Sequence, residues 1–407
     1  MATKNKTQII PIGPYHPLQE EPEFFKLHVE GEKVVKLEIE IGYNHRGIEK
    51  LAEGLTYDQI PFLVERICGI CSSSHPFACV NAIEDVANVD VPERVKYIRS
   101  FIGELERIHS HLLWLGLAGH FLGYNTVWMW AWKYREPVLD LFELITGNRN
   151  HYAMFKPGGV RRDIADEDIP TAMRLLDGLM KPLIMFRDIA LSDPVLQART
   201  VGVGVLTKED CVELGALGPT SRASDVPWDV RRDHPYAAYG LVDWDVVVTK
   251  NGDVFDKVVV RVLEMVECIK ICKQCLEKLR EVRDGIDAEL KEIPPGEGVG
   301  HHEAPRGEVF HYTRSDGTNR PIRYKVRAPS FMNVPTNNRA VIGYTVSDAT
   351  ITLAAIDPCY CCTERALVVD ANSGKQVMGW KDLLRLSQEK THRLMEKYNS
   401  RMDRIWI

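Results

Sequence analysis

The sequence predicts a mainly helical α+β protein, with a large helical core, an N-terminal β-hairpin and small peripheral sheets. Several long segments repeat apolar residues at helical spacing, and one early segment alternates apolar with polar residues. In addition, 45% of the 407 residues are hydrophobic, which is ample for a large buried core. Length alone favours two or three domains, whereas the cysteine pattern described below favours one.

The first predicted element is a β-hairpin over residues 24–41. Leu27 and Val29, and then Val35 and Leu37, alternate with polar residues on either side of a turn. Alternation of this kind indicates strands with one buried face. A helix is expected to follow and to lead into the first cysteine pair.

The long helices are predicted from apolar periodicity. Pro92 occupies a favoured first-turn position and opens a helix whose apolar stripe continues to Leu112. Residues 307–345 alternate more like strands. The other predicted helices cover residues 169–191, 255–282 and 381–402.

Residues 112–132 contain no Asp, Glu, Lys or Arg and are long enough to span a bilayer. A polar turn at 123–126 and His120 interrupt the segment. We therefore predict two buried helices here, because an apolar helix in a large soluble protein belongs to the core. The tryptophans at 128, 130 and 132 are predicted to lie in the core or at a subunit interface.

Charge and cysteine usage exclude several classes of protein. The net charge of −6 gives no indication of nucleic-acid binding. The N-terminus lacks the apolar stretch of a secretory signal. The ten cysteines do not resemble the disulfide framework of a small secreted domain, which indicates metal ligands or core thiols in a reducing compartment.

Two Cys-x-x-Cys pairs lie near opposite ends of the chain, Cys68 with Cys71 and Cys359 with Cys362. A sulfur-only set of ligands suits zinc, an Fe–S cluster or another thiophilic metal. Structural zinc sites usually draw both pairs from one local segment, so the wide separation disfavours a zinc ribbon. A site using both pairs would gather nearly the whole chain into one domain.

Three polar residues flank these pairs. His75 follows the first pair by four positions, from where an imidazole can donate to a ligand sulfur, although a core histidine is the alternative. Arg66 precedes the first pair by two positions, and Asp357 precedes the second pair by two. An arginine and a carboxylate beside a metal suggest proton or substrate handling. We predict that His75 and Arg66 both contact the cofactor.

The remaining cysteines are predicted to be core thiols, because buried free cysteine is common. Cys361 is expected to point away from the metal. Adjacent residues seldom face one metal, so the His301–His302 pair is not predicted to bind one. The predicted core thiols are Cys79, Cys211, Cys268, Cys272 and Cys275.

Five motifs carry a family resemblance: GPYHP at 13–17, GYNHRGIEK at 42–50, ERICGIC at 65–71, EAPRG at 303–307 and DPCYCCTER at 357–365. With them, the chain resembles the large subunit of NiFe-hydrogenases. It is most similar to the energy-converting, membrane-associated branch (group 4), which is related to the quinone-site subunit of respiratory complex I. The resemblance runs from about residue 10 to the end, and it implies the fold of the hydrogenase large subunit.

The resemblance implies that four cysteines hold a Ni–Fe centre whose iron carries CO and cyanide. Cys68 and Cys359 would be terminal nickel ligands, and Cys71 and Cys362 would bridge nickel and iron. In the heterolysis of H2, the terminal thiolate of Cys359 would take or give the proton.

The resemblance also implies roles for three other residues. Arg306 would lie over the open face of the metals, where a fixed guanidinium can help to polarise H2. Asp357 would orient that arginine. Glu21 would be the first proton relay, with Glu20 as the competing candidate.

The chain has no further cysteine set for Fe–S clusters, so the resemblance places such clusters only on partner subunits. The implied partners are a small subunit with a 4Fe–4S cluster, a ferredoxin-type electron-transfer subunit, and integral membrane subunits that translocate H⁺ or Na⁺. The expected location is peripheral, on the cytoplasmic side of the cell membrane.

The resemblance also divides the chain. Residues 1–365 would form a single domain of the hydrogenase large-subunit type, and residues 366–407 would be a C-terminal extension that a maturation protease removes after Arg365. The alternative is a permanent docking helix, because the leucines between 383 and 394 form a weakly amphipathic stripe.

Three other functions stay open on the sequence. The chain is also compatible with a metal-free quinone-binding subunit of a complex I-like machine, a structural subunit stapled by zinc, or a sulfur-reducing relative. Quinone-site subunits generally lack the four cysteines. Nickel with iron indicates a hydrogenase, zinc indicates the staple, and neither metal indicates the quinone subunit.

Overall fold

The computed structural model describes residues 7–17, 19–290, 292–365 and 368–398. Helices dominate and the sheets are small and antiparallel, which confirms the predicted mainly helical α+β class. The chain divides into two compact units, Met1–Thr363 and Glu364–Ile407.

The described strands form four antiparallel sheets, ordered β1-β2-β3, β4-β5, β6-β7-β8 and β9-β10. Their bounds are β1 (Gln8–Ile12), β2 (Phe24–Glu30), β3 (Lys33–Glu40), β4 (Phe155–Lys156), β5 (Gly159–Val160), β6 (Pro295–Ala304), β7 (Gly307–Asp316), β8 (Pro321–Arg327), β9 (Val368–Val369) and β10 (Gln376–Met378).

Helices make up most of the regular structure of the described residues. The first eight are α1 (Ile48–Ala52), α2 (Ile60–Glu65), α3 (Ser74–Ala87), α4 (Glu93–Phe121), α5 (Asn125–Thr146), α6 (Ile169–Ser192), α7 (Pro194–Thr200) and α8 (Lys208–Leu214). The others are α9 (Pro219–Arg222), α10 (Val230–Asp233), α11 (Val254–Leu279), α12 (Pro329–Asn333), α13 (Asn337–Ala340), α14 (Val346–Ala354), α15 (Tyr360–Thr363) and α16 (Trp380–Tyr398), with a 3-10 turn at Val334–Thr336.

The predicted hairpin is present as β2 and β3, but the sheet has a third strand, β1, that the sequence analysis missed. The register shifts between His28 and Val29. A bulge of this kind reverses which residues face the core. As a result Val34 is buried, whereas Val35, which the alternation assigned to the core, is 39% exposed.

The main core lies between α4, α5, α6 and α11. The stripe predicted from Pro92 onward is fully buried on α4, from Val95 through Leu112. The cysteines of α11 face the same core, so Cys268, Cys272 and Cys275 are core thiols, as predicted. Cys79 and Cys211 are buried as well.

The apolar segment 112–132 forms two helical pieces, the end of α4 and the start of α5, as predicted. Only one face of α5 packs on the core, so Met129 is 68% exposed and Trp130 and Trp132 are each 38% exposed. The prediction that both helices are buried is therefore wrong for α5. Among the described helices, none combines the length and apolar character needed to cross a membrane.

The strands predicted over residues 307–345 end at Arg327, and Pro329 opens α12. The prediction is therefore wrong for the second half of that segment, because proline at the first helical turn favours a helix. The strands β6 and β7 pack on α3. This contact requires glycine in β6, since a Cβ at Gly300 would lie 2.2 Å from the carbonyl oxygen of Ala78 and from the amide nitrogen of Ala82.

We expect Gly300→Ala to lower the free energy of unfolding by about 2 kcal/mol or more, since overpacking forces backbone shifts. Gly296→Ala in the same strand is the matched control, because its nearest neighbour would be a side-chain carbon of Val86 at 3.8 Å. We expect the control to stay within about 0.5 kcal/mol of the wild type. Chemical denaturation measures both, and equal stabilities would contradict the close packing of β6 on α3.

The second unit contains the β9–β10 pair and α16. Helix α16 agrees with the predicted helix over 381–402 as far as Tyr398, and residues 399–402 lie outside the described residues. Leu384, Leu386 and Leu394 are exposed on this helix.

Candidate metal centre

The first cysteine pair lies in the loop between α2 and α3, and both thiols are buried. The guanidinium of Arg46 holds this loop: Nη1 donates to the carbonyl of Arg66 at 2.8 Å and Nη2 to the carbonyl of Ile67 at 2.8 Å. The backbone directly before Cys68 is therefore fixed from outside the loop.

Glu106 on α4 fixes the other end of the loop. Its carboxylate accepts from the backbone N–H groups of Ser73 and Ser74, the latter at 3.0 Å, and from the Ser74 hydroxyl. These groups are the free donors at the start of α3. Burial raises the pKa of Glu106 to about 7, although the serine donors oppose this shift.

We expect Glu106→Ala to lower the free energy of unfolding by about 3 kcal/mol, because it leaves buried donors without partners. Glu143→Ala removes an exposed carboxylate on α5 and is the control, with an expected change within about 0.5 kcal/mol. Denaturant titration of both variants checks the difference, and a matching loss in the two would contradict the capping role.

The second cysteine pair begins just before α15 and ends within it. Asp357 has a φ of 56°, a left-handed conformation that aspartate tolerates better than most residues. The N–H of Cys359 donates to the Ser330 hydroxyl at 3.0 Å. These contacts direct both sulfurs toward the loop between α2 and α3.

The four sulfurs meet in one buried cluster. The Sγ atoms of Cys68, Cys359 and Cys362 all lie within 4.8 Å of one another. The thiols of Cys359, Cys362 and Cys71 donate to Cys68 and lower the pKa of Cys68 well below its usual value. Cys359 and Cys362 lie 2.7 Å apart, which is longer than the disulfide distance of about 2.05 Å. The two ends of the chain therefore meet, and a thiophilic cation could replace the thiol protons.

Arg306 lies against this cluster and is buried. Its Nη1 donates to Cys71 Sγ at 3.3 Å, its Nε donates to the Asp357 carbonyl at 2.7 Å, and its Nη2 lies 2.8 Å from Asp357 Oδ1. Burial opposes the charge on Arg306, but Asp357 and the sulfurs keep its pKa well above the ordinary value. Asp357 thus fixes the orientation of the guanidinium beside the sulfurs.

The amino-acid sequence matches two family models. The model of the respiratory-chain NADH dehydrogenase 49 Kd subunit matches residues 122–293 and 285–365, and the model of nickel-dependent hydrogenase matches residues 46–117. The chain belongs to the family of membrane-associated NiFe-hydrogenase large subunits and complex I 49 kDa subunits. The first cysteine pair falls in the hydrogenase match and the second in the complex I match.

The proteins similar to this chain include both hydrogenase subunits and complex I subunits. The membrane-bound hydrogenase subunit alpha of Pyrococcus furiosus is 41% identical over 94% of this chain and 93% of that protein. An NADH-quinone oxidoreductase subunit of Dehalococcoides mccartyi is 37% identical over 88% of this chain and 98% of that protein. A solved structure of the membrane-bound sulfane sulfur reductase, an archaeal respiratory membrane complex, gives a TM-score of 0.84 at 31% identity, covering 90% of this chain and 100% of that one. The family is therefore one of oxidoreductases.

Glu21, in the N-terminal segment, lies beside the sulfur cluster. Its Oε1 lies 3.9 Å from Cys359 Sγ, and its Oε2 accepts from the Cys361 N–H at 2.7 Å. Burial raises the pKa of Glu21, and negative charge at Cys68 adds to this effect. Glu20, the competing candidate, is exposed as a residue, yet burial of its carboxyl and the negative charge of Asp357 raise its pKa to about 8. The Cys361 thiol also hydrogen-bonds to Glu21.

His75 and Arg66 have different environments in the structure. His75 is buried, and its Nε2 lies 3.4 Å from Cys362 Sγ. The structure does not bring the Arg66 side chain to the sulfurs: it is exposed, contacts Glu65 and donates to the Phe62 carbonyl at 3.2 Å. Arg66 ends α2, and its side chain turns back along that helix, so only its carbonyl takes part in fixing the loop.

The residues that hold the EAPRG turn were not predicted from the sequence. Arg107 donates through Nη1 to the Ala304 carbonyl at 3.1 Å and through Nη2 to the Glu303 carbonyl. Arg222 Nη1 donates to Glu303 Oε1 at 2.8 Å. All of these side chains are buried, so the turn that carries Arg306 is held on two sides. A charged residue inside an apolar helical pattern was the available signal for Arg107.

Proposed function

We propose that this chain is the catalytic subunit of a NiFe-hydrogenase, which interconverts H2 with protons and electrons. The convergence of four buried, unbridged cysteine sulfurs from opposite ends of the chain carries the proposal. A sulfur-only donor set suits a thiophilic metal. The Pyrococcus furiosus relative, named as a membrane-bound hydrogenase subunit, supports this choice.

The donor set fits a Ni–Fe centre, with iron that carries CO and cyanide. Cys68 and Cys359 would hold nickel as terminal ligands, and Cys71 and Cys362 would bridge the metals. The centre would supply the redox and Lewis-acid chemistry for the heterolytic cleavage of H2.

The protein residues would then move the proton and orient the reacting groups. Cys359 would exchange the proton at Sγ, because a terminal thiolate donates to one metal only and is more basic than a bridging one. Glu21 Oε1, at 3.9 Å from that sulfur, would relay the proton. Arg306 would present a fixed donor to the open side of the centre, oriented by Asp357.

We further propose that the protein works peripherally, on the cytoplasmic side of a membrane-bound complex. The names of the hydrogenase relative and of the structural neighbour both refer to membrane-bound assemblies. Electrons would pass through a small subunit with a 4Fe–4S cluster and a ferredoxin-type subunit, and integral membrane subunits would translocate ions.

Metal analysis of the purified complex, combined with H2–D2 exchange, tests the function. We expect nickel and iron in this chain together with exchange activity. Zinc alone would indicate a structural staple and would overturn the proposal. Metals without any H2 turnover would favour a sulfur reductase, which the name of the structural neighbour makes a specific alternative.

A quinone-binding, metal-free subunit is the second candidate, because the 49 Kd subunit model matches most of the second half of the chain. The absence of both metals, with quinone reduction by the complex, would favour this candidate. The four converging cysteines favour the hydrogenase, since a quinone site has no need for them.

The C-terminal segment gives a separate prediction. We propose that residues 366–407 are removed after Arg365 once nickel has been inserted. The intact mass of the chain in the purified complex should then correspond to residues 1–365, and the chain from cells grown without nickel should keep its full length. A full-length chain in the active, nickel-loaded complex would instead favour a permanent docking helix.

A further inference from the structure

A chain of three hydrogen bonds leads away from the sulfur cluster through residues that the proposed reaction does not use. The Tyr324 hydroxyl lies 2.6 Å from His311 Nδ1, His311 Nε2 lies 3.1 Å from His75 Nδ1, and His75 Nε2 lies 3.4 Å from Cys362 Sγ. All four side chains are buried. Contacts of these lengths form a continuous path of hydrogen bonds from Tyr324 to the sulfur.

The packing of the β6-β7-β8 sheet on α3 fixes this path. His75 lies in the first turn of α3, the helix that packs on β6 and β7. On the sheet, Thr313 is paired with Tyr324, so His311 and Tyr324 are diagonal neighbours on one face. The helix supplies one imidazole and the sheet supplies the other imidazole and the hydroxyl.

The two imidazoles face each other through His311 Nε2 and His75 Nδ1, which lie 3.1 Å apart. Two protonated nitrogens cannot hydrogen-bond to each other, so one of these two nitrogens carries no proton and accepts. A neutral imidazole donates through one nitrogen and accepts through the other. The direction of the first hydrogen bond in the path therefore sets the direction of the next two.

Cys362 sets the direction at the near end. Its thiol donates to Cys68, and as a metal ligand it would carry no proton, so toward His75 its sulfur accepts. With His75 donating through Nε2, His75 Nδ1 accepts from His311 Nε2, and His311 Nδ1 accepts from the Tyr324 hydroxyl.

We propose that His311 and Tyr324 are positioning residues for the metal centre, because they hold His75 in the Nε2–H tautomer that donates to Cys362. This inference rests on the proposed function, in which Cys362 bridges the two metals. Hydrogen bonds to ligand sulfurs tune the electronic properties of a metal–thiolate centre. The path therefore extends control of the centre to two residues that touch neither the metals nor their ligands.

Tyr324→Phe tests the proposal, because it removes the hydroxyl and keeps the ring. Tyr312→Phe is the control, since Tyr312 adjoins His311 in β7 but faces the opposite side of the sheet. In the purified complex, we expect the infrared bands of the CO and cyanide ligands to shift in Tyr324→Phe at unchanged nickel and iron content. The control should keep the wild-type bands. Wild-type bands in Tyr324→Phe would overturn the proposal.

A second measurement does not need the metals. In the full chain isolated without nickel and labelled with ¹⁵N-histidine, nitrogen chemical shifts should show both His75 and His311 protonated at Nε2. Tyr324→Phe should add a population protonated at Nδ1, and identical tautomers in the two proteins would overturn the proposal. Absence of CO and cyanide bands from the wild type would count against the proposed function, and the nitrogen shifts would still decide this inference.

Discussion

Replacing Cys359 with serine is expected to abolish H2–D2 exchange, with activity falling below detection in the purified complex. The proposed role gives Cys359 two tasks, as a terminal ligand and as the group that exchanges the proton. A serine hydroxyl is a harder ligand and a much weaker acid than a thiol, so it replaces neither function. Metal analysis of the same sample should also show a loss of nickel.

The control for this substitution lies in the main core. Cys275 is also fully buried and is also spaced as a Cys-x-x-Cys pair, with Cys272. Cys275→Ser makes the same chemical change away from the centre and should keep both nickel and exchange activity. Full activity in Cys359→Ser would contradict the ligand assignment, and equal loss in both variants would indicate general destabilisation instead.

The sequence was informative where spacing alone decides the outcome. The stripe from Val95 to Leu112 repeats at helical spacing, and α4 buries all of it. The two Cys-x-x-Cys pairs predicted a shared site because each pair can serve one metal, and their sulfurs converge in the structure. In both cases the signal depends on residue type and interval and does not depend on the register of distant elements.

Residue spacing did not predict the contacts that depend on local backbone irregularities or on residues far away in the sequence. The bulge at Val35, which has no partner between the pairs His28–Lys36 and Val29–Val34, places Val34 in the buried face instead of Val35, and alternation cannot reveal such a shift. Nothing near Arg46 indicates that its guanidinium reaches the carbonyl of Ile67, 21 positions later. Glu106 and Ser74 are separated by 32 positions and meet only because α4 passes the start of α3.

The path from Tyr324 to Cys362 shows the same limitation. His75 was predicted to contact the centre because it lies only four positions after Cys71 in the sequence. His311 is 236 positions from His75, and only the packing of the sheet on α3 brings them within 3.1 Å. Proximity in sequence thus predicted the candidate ligands, whereas the contact between His75 and His311 is visible only in the three-dimensional structure.

Arg306→Lys is expected to lower H2–D2 exchange by about 100-fold while leaving the nickel and iron content unchanged, since removal of one preorganised donor typically has an effect of this size. The substitution keeps the positive charge, and lysine at this position is not required to bind a metal. Arg339→Lys is the control, because Arg339 is exposed and pairs with Glu213 at 3.3 Å on the surface. Arg339→Lys should keep wild-type exchange.

The expected loss follows from the geometry of the guanidinium. Arg306 uses three nitrogens at once, on the Asp357 carbonyl, on Asp357 Oδ1 and on Cys71 Sγ. A planar guanidinium can span these acceptors, whereas an ammonium is a point charge on a flexible stem and cannot hold all three together. If Arg306→Lys keeps full exchange activity, charge alone is sufficient beside the sulfurs, and the fixed orientation supplied by Asp357 has no part in the reaction.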